Sequence, residues 1–460
     1  MNLSRRSWMK KMGLGTTAFG AGMLGARADQ FPTDGDPAYA VFARNLFKIK
    51  PTMQDVPSAF LRGGKVVQPE REIPVFSTVD VAVVGGGSAG FAAAVAAART
   101  GAKVALIERY GSLGGLFTNG MVLIILATVF KDGGGLKLAT AGLCKEFMDR
   151  LKEMGPDAVT PFPKNYGQPT ADPEAAKVLM DRMVEEAGVE MFFHAWGVDV
   201  IQGGPAVQGV VFESKQGRQA VLAKCVVDAT GDGDINFLAG GGFQQISHAM
   251  GFVYQVGNID RIDFSKAPAV KRRAWSANEP VRSLHWFNSL GPKGNGLDVR
   301  ELSKAEIAHR RGAWNKVQKQ KKEPGFEQIY LSNTCSMLGP RATRLLEGVA
   351  TISKATAQAH TTFDDTVAVS GDDRRGHPTP FAIPYRALLP KTVDNVICAG
   401  RCISCTADLI DRVRLIAPCF VTGHAAGVAA AIAAKSSTRP RDVPVKAVQE
   451  VLLKQGAYLG

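Results

Sequence analysis

The chain has 460 residues, 45% hydrophobic and 21% charged. That is enough to bury a large core and more than one domain usually holds, so two domains are expected. Fifty-five Lys and Arg against 42 Asp and Glu leave a formal charge of +13, but no basic tract interleaved with aromatics accompanies it, which argues against a nucleic-acid partner. No uninterrupted apolar run reaches membrane-spanning length; the nearest, 418–434, is broken by His424 and small residues and reads as a buried helix.

The first element is Ser4-Arg5-Arg6-Ser7-Trp8-Met9-Lys10, which resembles the signal read by the bacterial twin-arginine exporter, a carrier of folded proteins. Arg5, Arg6, Lys10 and Lys11 form a charged start without an acid. A mildly apolar stretch, 13–25, follows, and Ala26-Arg27-Ala28 offers small residues where a signal peptidase cuts. The competing reading is a basic amphipathic arm that stays attached. Residues 1–28 are expected to direct export, to the periplasm or beyond, with no stable membrane insertion after processing. Their removal takes away five positive charges, 13 − 5 = 8. Residues 29–77 read as an irregular arm or linker.

The next element is an apolar run, Val79 to Val84, suited to a buried parallel strand. It ends at Gly85, Gly87 and Gly90 in the spacing G-x-G-x-x-G, with Ser88 and Ala89 between them. An Ala-rich helix to about Thr100 and a second strand, Lys103 to Ile107, follow, and Glu108 stands 23 residues after Gly85. Each part has a physical role at a dinucleotide site. Gly85 permits the tight turn, Gly87 lets the backbone approach a pyrophosphate, and Gly90 lets the helix pack on the strand. The helix N-terminus favours the negative charge, and Glu108 accepts from the adenosine ribose hydroxyls. The alternative is an ordinary strand-to-helix glycine turn.

Four stretches then carry a family resemblance: ERYGSLGG at 108–115, TADPEAAKVLMDRMVEEAGVEMFFHAWGVDV at 170–200, CVVDATGDGDINFLAG at 225–240 and IPYRALLPKTVDNVICAGRCIS at 383–404. Together they resemble the FAD-dependent oxidoreductases related to the flavin subunit of heterodisulfide reductase, with a glutathione-reductase-type fold. The likeness runs from about residue 78 to about 435 and is weakest at 245–335. It implies an α/β, Rossmann-like FAD-binding domain with an inserted substrate or cap domain, and an FAD that is not covalently attached. It also implies cofactor contacts from Arg109, Gly114, Gly115, Thr230, Gly231, Asp232, Gly400 and Arg401. The helix beginning near Pro418 would aim its positive end at the flavin, stabilising negative charge on the reduced ring.

The domain expectation follows. The FAD domain comprises 78–135, 195–240 and 385–435, with a helical insertion at 136–194, a substrate or cap domain at 241–384 and a C-terminal segment at 436–460. Within the insertion, 142–154 and 173–188 read as amphipathic helices.

Catalytic candidates are fewer, because the flavin carries the redox chemistry. LGPRATRLLEG at 338–348 resembles the family's Gly-x-Arg-x-x-Arg element. Its Arg341 and Arg344, three apart, would share a helix face and hold a substrate carboxylate or phosphate; the competing reading is a structural pair. Arg414 matches a second family arginine. His377 and Tyr385 are loop candidates for proton exchange, while His424 reads as packing or a flavin-edge hydrogen bond. The family's Ala-Thr-His after GRCIS is replaced by Cys405-Thr406-Ala407, so a histidine acid is missing. Cys398, Cys402 and Cys405 have spacing able to hold three corners of a [4Fe-4S] cluster. The alternatives are a Cys402–Cys405 redox pair and plain buried thiols. The expected activity is hydride transfer between flavin N5 and a small organic substrate, such as a sugar derivative or hydroxy acid, with a quinone, cytochrome or oxygen as acceptor. A flavin electron-transfer protein and a heterodisulfide-reductase-like iron–sulfur flavoprotein are the alternatives.

Overall fold

The computed structural model describes residues 58–132, 135–160, 169–267, 275, 279–371 and 380–460. Glu70–Gly460 form one compact unit. The other, Met1–Pro69, contains the described hairpin Phe60–Arg62 with Lys65–Val67, so the end of the expected irregular arm holds regular structure. The twin-arginine segment lies outside the described residues.

In chain order the larger unit begins with strand β1 (Val75–Val84), helix α1 (Ser88–Arg99) and strand β2 (Val104–Ile107). Helices α2 (Leu143–Glu153) and α3 (Pro173–Glu186) follow, close to the two amphipathic stretches expected there. Asp172 caps α3, its carboxylate accepting from the Glu174 and Ala175 N–H groups, and Pro173 occupies the first turn, where its missing N–H costs nothing. Strands β3 (Glu190–Phe192), β4 (Trp196–Gly203), β5 (Ala206–Ser214) and β6 (Gly217–Asp228) complete this half. The next stretch contains β7 (His248–Gly257), β8 (Leu284–Gly294), helix α4 (Val299–Gln320), β9 (Tyr330–Thr334) and β10 (Gly339–Pro340). Strand β11 (Val396–Cys398) and helix α5 (Ile416–Ser436) return to the first half.

The main sheet runs β3-β2-β1-β6 with all four strands parallel. Beyond β6 it forks. Gly217 to Leu222 pair antiparallel with β5, whereas Val226 to Asp228 pair parallel with β11. The fork leaves the carboxyl ends of β1, β2, β6 and β11 side by side, where ligands of open α/β sheets gather. A second sheet, β8-β7-β9 with β10 against β7, lies within 241–384 and has its own core around Phe252, Val256 and Phe326.

Against the main sheet, α1 and α5 approach closely because small residues meet. A Cβ on Gly423 would lie 2.0 Å from the Ala89 carbonyl oxygen, and one on Gly427 2.1 Å from that of Ala93. Phe91, Phe147 and Phe420 fill the space beside this seam in edge-on and tilted contacts. Helix α5 is long and apolar enough to cross a membrane, but nearly all of it is buried inside the protein. His424, within it, is buried, bonds Gln455 through Nε2 at 2.6 Å and faces Gly142.

Candidate active site

A cavity of about 300 Å³ opens at the adjacent strand ends. After β1 the chain turns through Gly85 at φ +94°, and a Cβ there would strike the Ala229 carbonyl oxygen at 2.5 Å. Gly87 faces open space, so its backbone is accessible, and a Cβ on Gly90 would lie 1.7 Å from the Gly85 carbonyl oxygen. Glycine is therefore required at the first and third positions for reasons of backbone conformation and packing. Helix α1 starts at this turn with no side-chain cap and no acid in its first turn, leaving its N-terminal field for an anion. Gly85, Gly87, Ser88 and Ala89 line the cavity; Gly90 supports them.

At the end of β2, Glu108 is buried; burial pushes its carboxyl up, against N–H donation from Tyr110 at 2.8 Å and Gly86 at 2.5 Å. The Arg109 guanidinium lies over the rings of Tyr110 and Trp196, 4.9 and 5.6 Å from their centroids. All four side chains line the cavity. A second loop seals the turn: Gly114 donates its N–H to the Gly86 carbonyl at 2.8 Å, and a Cβ on Gly115 would lie 3.0 Å from the Gly87 Cα.

The far side is built after β6 and β11. Thr230 donates to the buried Asp228 carboxylate at 2.7 Å, which also accepts from the Asn236 N–H. Burial pushes the Asp228 carboxyl up to about 6. Asp232 accepts from Thr343 at 2.5 Å and pairs with Arg401 at 2.8 Å; Arg401 also donates to the Pro340 carbonyl. Thr230, Gly231, Asp232, Gly400 and Arg401 all line the cavity. So do Ile416 and Cys419 from the first turn of α5, which again carries neither a side-chain cap nor an acid. Two helix N-termini and a bed of exposed backbone thus meet one cavity, an arrangement that fits a dinucleotide.

Of the catalytic candidates among the described residues, only Arg414 lines the cavity. It grips Asp411 through Nε at 2.9 Å and Nη2 at 2.6 Å. The same carboxylate oxygen lies 3.7 Å from His248 Nε2 and 3.9 Å from Arg341 Nη1. Burial pushes Asp411 up, but Arg414, His248 and Arg341 outweigh it and hold the carboxyl below its ordinary value. His248 is lowered by burial, against the pull of Asp411. Its Nδ1 accepts from the Ala249 N–H at 2.8 Å, which leaves a neutral ring's proton on Nε2, facing Asp411. His248, Asp411 and Trp196 were missed by sequence reasoning. Asp411, three before Arg414, had a local signal; His248, set by strand pairing, had none.

Two expectations are corrected, and the iron–sulfur alternative finds no support. Arg341 and Arg344 share no helix face: Gly339–Pro340 forms β10, and Arg344–Leu346 pairs antiparallel with Phe243–Gln245. Long-range pairing prevails there over the i,i+3 spacing. Arg344 instead stacks over Phe237 and binds Asp234 at 2.7 Å, holding that lining residue from behind the cavity wall. Tyr385 is buried elsewhere, its hydroxyl donating to the Pro440 carbonyl at 2.8 Å, and burial pushes it far above its ordinary range. Finally, no group of three or more His, Cys, Asp or Glu side chains among the described residues is placed to hold a metal, and Cys398, Cys402 and Cys405 are buried free thiols. His377 lies outside the described residues.

The family model for FAD dependent oxidoreductases matches residues 80–452, and the chain belongs to that family. It is an FAD-dependent enzyme with a Rossmann-like α/β fold. A 49-residue stretch is 49% identical to the dihydrolipoyl dehydrogenase of Trypanosoma brucei brucei; the match spans 11% of this chain and only 10% of that enzyme. Among solved structures, a geranylgeranyl bacteriochlorophyll reductase-like protein from Thermoplasma acidophilum is 13% identical over 83% of this chain and 84% of its own, with TM-score 0.43. The p-nitrophenol 4-monooxygenase of Pseudomonas putida DLL-E4 is 14% identical over 82% and 84%, with TM-score 0.39.

Proposed function

We propose that this enzyme oxidises or reduces a small organic substrate such as a sugar derivative or hydroxy acid, using FAD held without a covalent bond. The observation that carries the reading is the meeting of four strand ends and two uncapped helix N-termini at one cavity, with Arg414 on its wall. FAD, when bound, supplies the two-electron exchange. The chain's own residues supply position and charge: the α1 turn for the pyrophosphate, the α5 N-terminus for the flavin, and Arg414, fixed by Asp411, for a polar or anionic substrate group. The Cys419 thiol on the cavity wall is pushed up to about 12 by burial, which makes it a poor nucleophile.

The relation to the heterodisulfide reductase flavin subunit rests on the motifs at 108–115, 170–200, 225–240 and 383–404, and folded export on Arg5 and Arg6 within their signal-like context. FAD is a cytoplasmic product, so a chain that closes around it folds before leaving. The acceptor outside the cytoplasm is then a quinone, a cytochrome or oxygen rather than a nicotinamide.

The test is the absorption spectrum of the exported protein before and after acid precipitation. Flavin bands that pass into the supernatant are expected, with bleaching by an organic donor under anaerobic conditions. Bands that stay with the pellet would reject non-covalent attachment, and reduction by NADH but by no organic donor would overturn the substrate reading.

A further inference from the structure

Helix α4 has 22 residues and two unlike faces. Ala313 and Val317 are buried, and Leu302 and Glu306 line the cavity. At about 100° per residue, Arg300, Lys304, Ile307, Arg311 and Trp314 fall within roughly 80° of arc on the opposite side, and all five are exposed. Ile307 is 56% and Trp314 54% exposed, two turns apart. Arg300, Lys304 and Arg311 have no side-chain ion pair or hydrogen bond among the described residues, while the neighbouring Arg310 pairs with Glu306 at 3.1 Å. Glu301 is the acid nearest this arc on the helix.

Two large apolar side chains left in water beside three unpaired cations call for a partner that is anionic and also takes up apolar groups. An anionic lipid surface is both. Its phosphates meet the cations, its interface favours indole rings, and a helix lying in its plane immerses its apolar side chains just below the headgroups. An acidic protein surface would satisfy the cations without accounting for Ile307 and Trp314.

We propose that the outward face of α4 docks on an anionic lipid bilayer, with Ile307 and Trp314 entering the headgroup layer and Arg300, Lys304 and Arg311 bound to lipid phosphates. The helix then lies flat on the bilayer, and the opposite side of the same helix walls the cavity. Docking therefore holds the active site one helix diameter from the membrane, about 10 Å.

The test is co-sedimentation of the FAD-loaded full chain with vesicles of phosphatidylglycerol and phosphatidylcholine, and with phosphatidylcholine alone. Because the N-terminus is itself basic, variants carry the comparison. Arg300→Gln/Lys304→Gln/Arg311→Gln is expected to weaken binding to the anionic vesicles roughly a hundredfold, and Ile307→Ser/Trp314→Ser roughly tenfold or more. Flavin content and near-ultraviolet circular dichroism serve as the fold check; the flavin content stays unchanged in both. No binding by the wild type, or equal binding by all three proteins, would overturn the proposal. Loss in the charge variant with full binding in the apolar variant would also overturn it, because Ile307 and Trp314 would then take no part in the contact.

Discussion

The Arg401 guanidinium stands 2.8 Å from the Asp232 carboxylate, joining the loop after β11 to the loop after β6 across 169 residues of sequence. Both side chains are nearly buried and both line the cavity. Arg401→Met leaves Asp232 without that counter-charge and is expected to cost more than about 2 kcal/mol. Asp232→Asn in the same chain should recover part of the loss. A double-mutant cycle by thermal unfolding measures the coupling, and additive effects would disprove it.

Gly90→Ala tests the glycine turn. The added methyl would lie 1.7 Å from the Gly85 carbonyl oxygen, so the helix must move off the strand end. The expected cost is about 1–3 kcal/mol, together with loss of FAD, read as the ratio of flavin to protein absorbance. Full flavin content with unchanged melting would refute the account of the turn.

Two buried groups give the protein opposed pH slopes. Burial pushes Glu279 up to about 7, with Gln255 donating to one oxygen at 2.6 Å and the other unpartnered among the described residues. The folded state therefore binds this proton more tightly than the unfolded, and stability falls as pH rises from 4.5 to about 7. Burial lowers His424 to about 4. The unfolded chain takes up that proton first, so stability falls as pH drops from 6.5 to about 4. Each shift is worth about 3 kcal/mol, and between pH 4.5 and 6.5 they nearly cancel. Asp228, raised to about 6, adds to the Glu279 slope, so each variant is read against the wild type: Glu279→Gln should make the change of stability with pH more positive in that window, and His424→Gln more negative. Melting temperature against pH for both variants decides the matter.

All seven cysteines are buried and free. Burial raises Cys144, Cys225, Cys405 and Cys419 to about 12 and Cys335 to about 11. Ellman's reagent should titrate none rapidly in the native protein and seven in denaturant. Five after denaturation would point to a disulfide and revive the Cys402–Cys405 pair.

The nucleotide half of the site was legible because its signals are local. The Gly85, Gly87 and Gly90 spacing, the Val-rich strand before it and Glu108 after it all act within one β-α-β unit, and α2 and α3 follow their apolar spacing to within a few residues. The substrate side, Arg414 apart, was not legible, for the opposite reason. Arg341 and Arg344 look helical by spacing, yet the β7–β10 pairing and the Phe243–Gln245 strand, about 100 residues away, fix their backbone. His248 meets Asp411 only through tertiary structure, which no local pattern encodes. Tyr385 misled because a Tyr beside a Pro reads as exposed loop, whereas here its hydroxyl is spent on Pro440.

The forked sheet dictates the order in which the enzyme can come into being. The Gly-rich turn is complete by residue 90, but the edge it needs at Val226–Asp228 is itself finished only when Val396–Cys398 docks, and the second helix N-terminus follows at Ile416. A chain cut off at two-thirds of its length holds the glycine turn and Glu108 but lacks β11 and the N-terminus of α5, which wall the other side of the cavity. A chain that ends before α5 is therefore expected to retain no flavin, since half of the cavity wall is missing.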